Sequence, residues 1–423
     1  MPQIQKVVAR EILNSRGVPT IEVELTSEAG LFARASSPSG ASTGIHEAKD
    51  FTDGDARYFG KGAQKDVQRI AKEIAPKLQG KDFTDQKTFD SFLREIDSTD
   101  DFSKIGGDVA LALSIAVCKL GAKHKKVPYF QYISQIHKTT AKSIPIPMFN
   151  VINGGAHADN GIAMQEFMVV PKGISEYKEQ LRAGAEIYHA LKEILKDRGL
   201  STGVGDEGGF APKLRSDVEA LDILMLAISK AGYAPKTQIS IALDIAISQF
   251  TKMNSTIASY SFPHQGKDGN LTITDSQKLK EYYLQLVKDY PILSIEDGLG
   301  EDDWTNWPLF TSALLNEGVV CVGDDFTVTN PKRLQKAISA RALTGIIIKP
   351  NQVGTISDVL EVGKLCEENN IIKIVSHRSG ETADTFIAHL AVGLNAQLFK
   401  DGATARSERN EKYNELLRIQ EEL

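Results

Sequence analysis

Apolar and polar positions alternate with a period of two in TIEVELT (Thr20–Thr26) and LFARASS (Leu31–Ser37). The turn-rich SEAG joins the two runs, and the pattern predicts a β-hairpin. A Gly/Ser loop, PSGASTG, follows. The period then changes. AQKDVQRIAKEIAPKL (63–78) and GGDVALALSIAVCKLGAKH (106–124) place apolar residues at helical spacing. SIPIPMFN interrupts that pattern with two prolines, which predicts a domain boundary near Lys138–Ser143. The first domain is then α+β, residues 1–138, and the second runs over 139–423.

The second part alternates short apolar runs with helical ones, as parallel strands covered by helices do. The candidate strands are MFNVIN, EFMVVP, QISIALD, ILSIED, VVCVGDD, GIIIKP, IIKIVSH and AQLFK. Eight such strands are what a closed β/α barrel needs. Read from the pattern alone, all eight run parallel. The later strands end on Asp244, Glu296, Asp324, Lys349, His377 and Lys400, spaced by 52, 28, 25, 28 and 23 residues. A strand–helix unit takes roughly 30 residues. After one long interval, then, each unit contributes one ionisable group at its C-terminal end, the face where barrel enzymes do chemistry. A single acid there would be an ordinary cap or loop residue; the recurrence points to a site. The long interval holds KMNSTIASYSFPHQGKDGNLTI, which lacks clear periodicity and reads as a surface excursion near the site.

Asp244, Glu296 and Asp324 converge in this scheme. An all-oxygen set suits a hard cation, Mg²⁺ before Ca²⁺ or Zn²⁺. Glu296 and Asp324 each have an acidic neighbour, Asp297 and Asp325, and alternation lets only one of each pair face the centre. The pattern does not choose between them. Lys349 is either a base, its pKa lowered by nearby cations and desolvation, or a salt-bridge partner of the carboxylates. Arg378 and Ser379 stand before a helical pattern, where free N–H groups and a guanidinium would seat a phosphate; an ordinary N-cap by Ser379 or Thr382 is the plain alternative. GVGDEGG (203–209) matches GxGxxG but follows a helical run and carries two acids, so dinucleotide binding is rejected and the glycines are read as presenting Glu207, with a plain acidic turn as the alternative. GASTG lacks the lysine of a Walker A loop.

Composition narrows the field. The net charge is −6 with no long basic stretch, which argues against nucleic acid. No apolar run is long enough for a membrane span. MPQIQKVVAREIL lacks a signal-peptide layout, and Cys118, Cys321 and Cys366 show no CxxC spacing. The three scattered thiols fit a reducing cytoplasm and argue against a disulfide framework or a zinc site.

Taken together, NSRGVPTIEVEL, PSGASTGIHEA, NVINGGAHADN, MQEFMVVP, VGDEGGFAP, ALDIA, SIEDGLGEDDW, GDDFTVTNPKRL, IIIKPNQVGT, SHRSGETADT and ARSERNEKYNELLRI resemble the enolase family, in family order and over nearly the whole chain. The resemblance implies an α/β fold: an N-terminal α+β domain and an eight-stranded barrel whose second strand is antiparallel. It implies reversible dehydration of 2-phosphoglycerate to phosphoenolpyruvate in glycolysis and gluconeogenesis, with two Mg²⁺ per active site. Carried over by motif, Lys349 is the general base and Glu207 the general acid. Asp244, Glu296 and Asp324 hold the tighter metal, which resolves the paired acids. Ser42 joins the second metal and the substrate. Arg378 and Ser379 hold the phosphate, and Lys400 the substrate carboxylate. His157, Gln165, Glu166 and His377 line the pocket. A homodimer or higher oligomer is implied as well.

Several neighbours depart from the family pattern. Gly298 stands where Pro is usual, which should loosen its loop. Pro350 follows Lys349 and restricts it to extended backbone. Asp401 replaces Thr or Ser, Thr404 replaces Pro, Gln249 replaces an acid, and Asn14 and Val18 alter DSRGNPT. An extra carboxylate at Asp401 should weaken binding of an anionic substrate, so Asp401→Thr is expected to lower KM. Two rival functions remain. Another superfamily reaction on a carboxylic acid would need a Lys-x-Lys pair on an early barrel strand, absent from AMQEFMVV. A non-catalytic binding paralogue is disfavoured by intact Lys349, Glu207 and metal ligands.

Overall fold

The computed structural model describes residues 3–40, 44–83, 85–158, 160–254, 257–266 and 269–423. Strands β1 (Ile4–Leu13), β2 (Pro19–Ser27) and β3 (Phe32–Ser36) form an antiparallel sheet in chain order. The predicted hairpin is β2–β3, with Glu22 opposite Ser36 and Thr26 opposite Phe32. β1 was not anticipated. It pairs with β2 along its length, but most of its side chains are half-buried, so no alternation marks it.

The helix Gly107–Lys125 lies against this sheet and is buried from Gly107 to Ala122. Its near-continuous apolar sequence is what a helix covered on all sides requires. Polar contacts tie this part to the barrel. Asp90 accepts from Ser114 Oγ and from the Ser357 backbone N–H, and Lys119 Nζ lies 2.6 Å from Asp384.

The barrel strands are β4 (Ile146–Asn153), β5 (Glu166–Val170), β6 (Ser240–Asp244), β11 (Ile292–Glu296), β12 (Val320–Gly323), β13 (Gly345–Ile348), β14 (Ile372–Ser376) and β15 (Leu398–Lys400). They close in that order. All eight coincide with the apolar runs, but they are not all parallel. β5 runs antiparallel to both β4 and β6, so the expectation from the resemblance holds and the all-parallel one falls. Periodicity reports which side chains are buried, not which way a strand runs. Met148, Met168, Val170, Ala242, Val322, Ile347, Ile374 and Leu398, drawn from seven of these strands, form a separate buried cluster, which we read as the packed interior of the barrel.

The excursion after β6 is more ordered than its sequence implies. It folds as two antiparallel ribbons, β7 (Thr251–Asn254) with β8 (Ile257–Tyr260) and β9 (Phe262–Gly266) with β10 (Gly269–Ile273). The Tyr260 hydroxyl donates to Asp303 and fixes it to the loop after β11. The ribbons bury only isolated positions, among them Tyr260, Phe262 and Ile273, so no period-two run announces them.

Candidate active site

Asp244, Glu296 and Lys400 are the last residues of β6, β11 and β15; Asp324, Lys349 and His377 directly follow β12, β13 and β14. All six therefore reach the C-terminal face. The reversed β5 adds a seventh. Glu166 is its first residue, and antiparallel pairing sets it opposite Asp244 and Asn153. In a parallel β5 the same residue would sit at the far end of the barrel.

Lys400 is the hub of this face and is 2% exposed. Its Nζ lies 3.1 Å from Glu166, 3.1 Å from Asp244 and 2.9 Å from Glu296. Burial opposes its charge, but Asp244, Glu166 and Glu296 outweigh burial and hold the ammonium well above its usual pKa. Burial, together with Asp244, pushes the Glu296 carboxyl well above the usual range despite Lys400. Asp324 is paired with Lys349 and accepts from Gln352 Nε2 at 2.9 Å. Lys349 has φ −120° and ψ +105°, the extended backbone that Pro350 demands. Burial would lower its pKa, but Asp324 raises it, so in this arrangement Lys349 is protonated. The salt-bridge alternative for Lys349 is thus the one the structure displays.

The paired acids divide their work. Glu296 faces Lys400, whereas Asp297, at φ +44°, accepts the backbone N–H groups of Asp324 and Asp325 at 2.9 and 2.8 Å. Asp297 thereby fixes the end of β12. Elsewhere in the acidic loop, Asp302 pairs with Arg333 and His46, and Asp303 holds Asn306 and Tyr260.

Glu207 enters from the loop between β5 and β6 and is fully desolvated. Asn150 Nδ2 donates to it at 2.9 Å, His377 Nε2 lies 3.6 Å away and His157 Nδ1 3.9 Å away. The turn beside it needs Gly208, at φ +85°, where an added Cβ would meet the Ala405 carbonyl oxygen at 2.8 Å. Burial would raise the Glu207 carboxyl, but His157, the Nε2–H of His377 as a donor and the Arg409 charge hold it well below the usual range. His377 is neutral, its pKa pushed down to about 4 by burial. His157 Nδ1 also lies 3.7 Å from Glu166, and Gln165 Nε2 reaches Asp244 at 3.4 Å.

Arg378 and Ser379 line the same pocket but do not open a helix. The next helix begins at Phe386, and its first N–H is taken by Asp384. Gly380 instead forms an isolated antiparallel bridge with Ser39, residues 381–385 are irregular, and the N-cap position is Thr385, which overturns both the helix-terminus seat and the Ser379 or Thr382 cap. The Arg378 guanidinium rests on Glu47 at 2.9 Å and on Asn351 at 3.1 Å. Ser42 lies outside the described residues.

Seven pocket-lining carboxylates (Glu47, Glu166, Glu207, Asp244, Asp297, Asp324 and Asp325) face only three permanent cations, Lys349, Arg378 and Lys400. Buried negative charge in this excess must be protonated or neutralised. The donors are buried carboxylate oxygens in excess of the cations beside them, so the residues fit a hard divalent cation. Asp244, Glu296 and Asp324 do not converge on one point, however: Lys400 lies between the first two and Lys349 on the third. Among the described residues, the groups with ligand atoms within 4.8 Å of one another are His157/Glu166/Glu207 and Asp297/Asp324/Asp325.

The departures take definite places. Asp401 is 0% exposed and lies behind His377, outside the pocket lining, so the expected repulsion of substrate does not arise. Gly298 is buried, and a Cβ there would meet the Phe310 ring at 2.8 Å, so the position is packed rather than loose. Asn14 accepts from the Arg16 and Val18 N–H groups and donates to Ser39 Oγ at 2.7 Å, a donation an aspartate could not make. Sequence reasoning passed over Glu47, Asn150, Gln352 and Arg409. All four stand within quoted motifs, but only the folded chain reveals what they touch.

Two comparisons bear on the whole chain. Residues 4–133 match the family profile described as the enolase N-terminal domain, and residues 141–423 match that of the enolase C-terminal TIM barrel domain.

Proposed function

This chain belongs to the enolase family, Mg²⁺-dependent lyases acting on phosphorylated small molecules, and from that premise we propose that it reversibly dehydrates 2-phosphoglycerate to phosphoenolpyruvate. The observation that carries the reading is one desolvated pocket holding Lys349, Glu207 and Arg378 amid an excess of carboxylates. The hard step removes a proton beside a carboxylate that is already negative. Asp244, Glu296 and Asp324 are our metal ligands, with Ser42 for a second ion. Mg²⁺ held by these residues would supply the positive charge that stabilises the enolate and would compete with Lys349 for Asp324.

Lys349 is then the base. Its pKa is raised by Asp324, and a lysine that loses its carboxylate partner in a buried site becomes a competent acceptor. Glu207 is the acid that protonates the departing hydroxyl. It is ionised in the arrangement described, and an anionic substrate beside it raises its pKa toward the protonated form. His157 and Glu166 flank the leaving hydroxyl, with Gln165 beside them. Arg378 and Ser379 hold the phosphate, and Lys400 the substrate carboxylate. We place the reaction in glycolysis and gluconeogenesis in the cytoplasm, carried out by a homodimer or higher oligomer.

Base and acid separate in D₂O. Glu207→Gln should still exchange the C2 hydrogen of 2-phosphoglycerate without forming product, whereas Lys349→Ala should do neither. Exchange surviving in the lysine variant would remove Lys349 from the role of base.

A further inference from the structure

Asp401 is the departure with no evident place in the chemistry. It is fully buried, and neither carboxylate oxygen accepts a hydrogen bond. Among the described residues, His377 is its one ionisable partner within 4.0 Å, with Nδ1 at 3.5 Å from Oδ1. The other charged or titratable groups around it are already engaged. Lys412 pairs with Glu381 at 3.0 Å, and Glu408 takes Arg406 at 2.8 Å. Arg409 donates to the Arg378 and Ser379 carbonyls at 2.7 Å. Tyr177 and Tyr413 donate to the backbone carbonyls of Tyr413 and Gly402. A buried carboxylate with no hydrogen-bond donor, beside cations already committed to other partners, keeps its proton. Burial correspondingly raises the Asp401 carboxyl well above the usual range.

The imidazole it touches is constrained on both sides. Arg409 Nη1 lies 2.6 Å from His377 Nδ1. A guanidinium only donates, so Nδ1 must be the bare nitrogen and the ring proton must sit on Nε2. Nε2 faces Glu207 at 3.6 Å. Arg409 sets the tautomer, and Asp401 fills the space beside Nδ1 that would otherwise let the ring turn.

We propose that Asp401 is a positioning residue: an uncharged carboxylic acid wedged behind His377 that, with Arg409, keeps the ring presenting Nε2–H to Glu207. The proposal rests on the role given to Glu207 only for its kinetic consequence.

The test uses full-length protein with ¹⁵N-histidine, as wild type, Asp401→Thr and Asp401→Asn, in Mg²⁺ buffer. The His377 ring nitrogens report the tautomer directly. Wild type should show protonated Nε2 and bare Nδ1 from pH 6 to 9. Asp401→Thr, shorter and differently branched, should give averaged shifts. It should also lower kcat about tenfold with KM within about twofold, the pattern of a displaced positioning contact. Asp401→Asn, the uncharged isostere, should restore both spectrum and kcat. A wild-type spectrum and kcat in Asp401→Thr overturns the proposal, and so does failure of Asp401→Asn to restore them, since that would mean the carboxylate works ionised. If wild-type protein does not turn over 2-phosphoglycerate, the reaction assignment fails and the ring spectra still decide this one.

Discussion

Replacing Lys400 by Met removes the one cation that Asp244, Glu166 and Glu296 share, at 3.1, 3.1 and 2.9 Å. Met matches the stem in length, so the change is chiefly one of charge. Breaking a buried ion pair from one side costs about 3–5 kcal/mol, because the partner charge stays behind. Unfolding entropy of about 2.1 cal/mol/K per residue gives this 423-residue chain roughly 0.9 kcal/mol/K. The loss therefore lowers Tm by about 3–6 °C in chelator. Mg²⁺ replaces the missing positive charge among the same carboxylates, so the variant should bind it more tightly. A tenfold gain in affinity is about 1.4 kcal/mol and returns about 1.5 °C of the deficit. The assay is calorimetry of both proteins in chelator and in Mg²⁺. A deficit below 1 °C in chelator, or one that Mg²⁺ leaves unchanged, would show that this site is not short of positive charge.

Restoring proline by Gly298→Pro should destabilise by about 1–3 kcal/mol, because its Cβ would press on Phe310 at 2.8 Å; adding Phe310→Leu should recover part of the loss, and a higher Tm for the single variant would contradict the packing. Asp217 is buried and its pKa is raised to about 6, chiefly by burial. The folded state thus holds a proton that the unfolded chain has released, and stability falls as pH rises from about 4 to 6, by about 3 kcal/mol for this group. Asp217→Asn should remove that slope in denaturation curves taken across the window; an unchanged slope would exclude Asp217 as its source. Arg378→Lys keeps the charge but loses the fork held by Glu47 and Asn351, so kcat/KM should drop about 10²-fold, and activity within twofold of wild type would show that the fork is not used.

Barrel strands were legible because each buries a short apolar run and ends on a polar residue at regular spacing. Strand direction was not. The reversal of β5 shows only in where Glu166 lands, a long-range fact carried by no local pattern. β1 escaped because its half-buried sidechains blur the alternation. The strand-end site residues were found by recurrence, yet their partners lie far away in the chain. Glu47 meets Arg378 across 331 positions, and Arg409 reaches His377 from the C-terminal helix Ser407–Gln420. Asp401 misled for a related reason. Adjacency to Lys400 suggested the pocket, but successive strand residues point to opposite sides, so the neighbour of an inward lysine faces away.

The most direct measurement follows the ultraviolet absorbance of the enol phosphate formed from 2-phosphoglycerate, with Mg²⁺ and then with chelator. The account predicts product that appears with Mg²⁺, stops on chelation and returns when Mg²⁺ is restored. No product from folded, Mg²⁺-binding protein would contradict the assigned reaction and leave a family member whose substrate has changed.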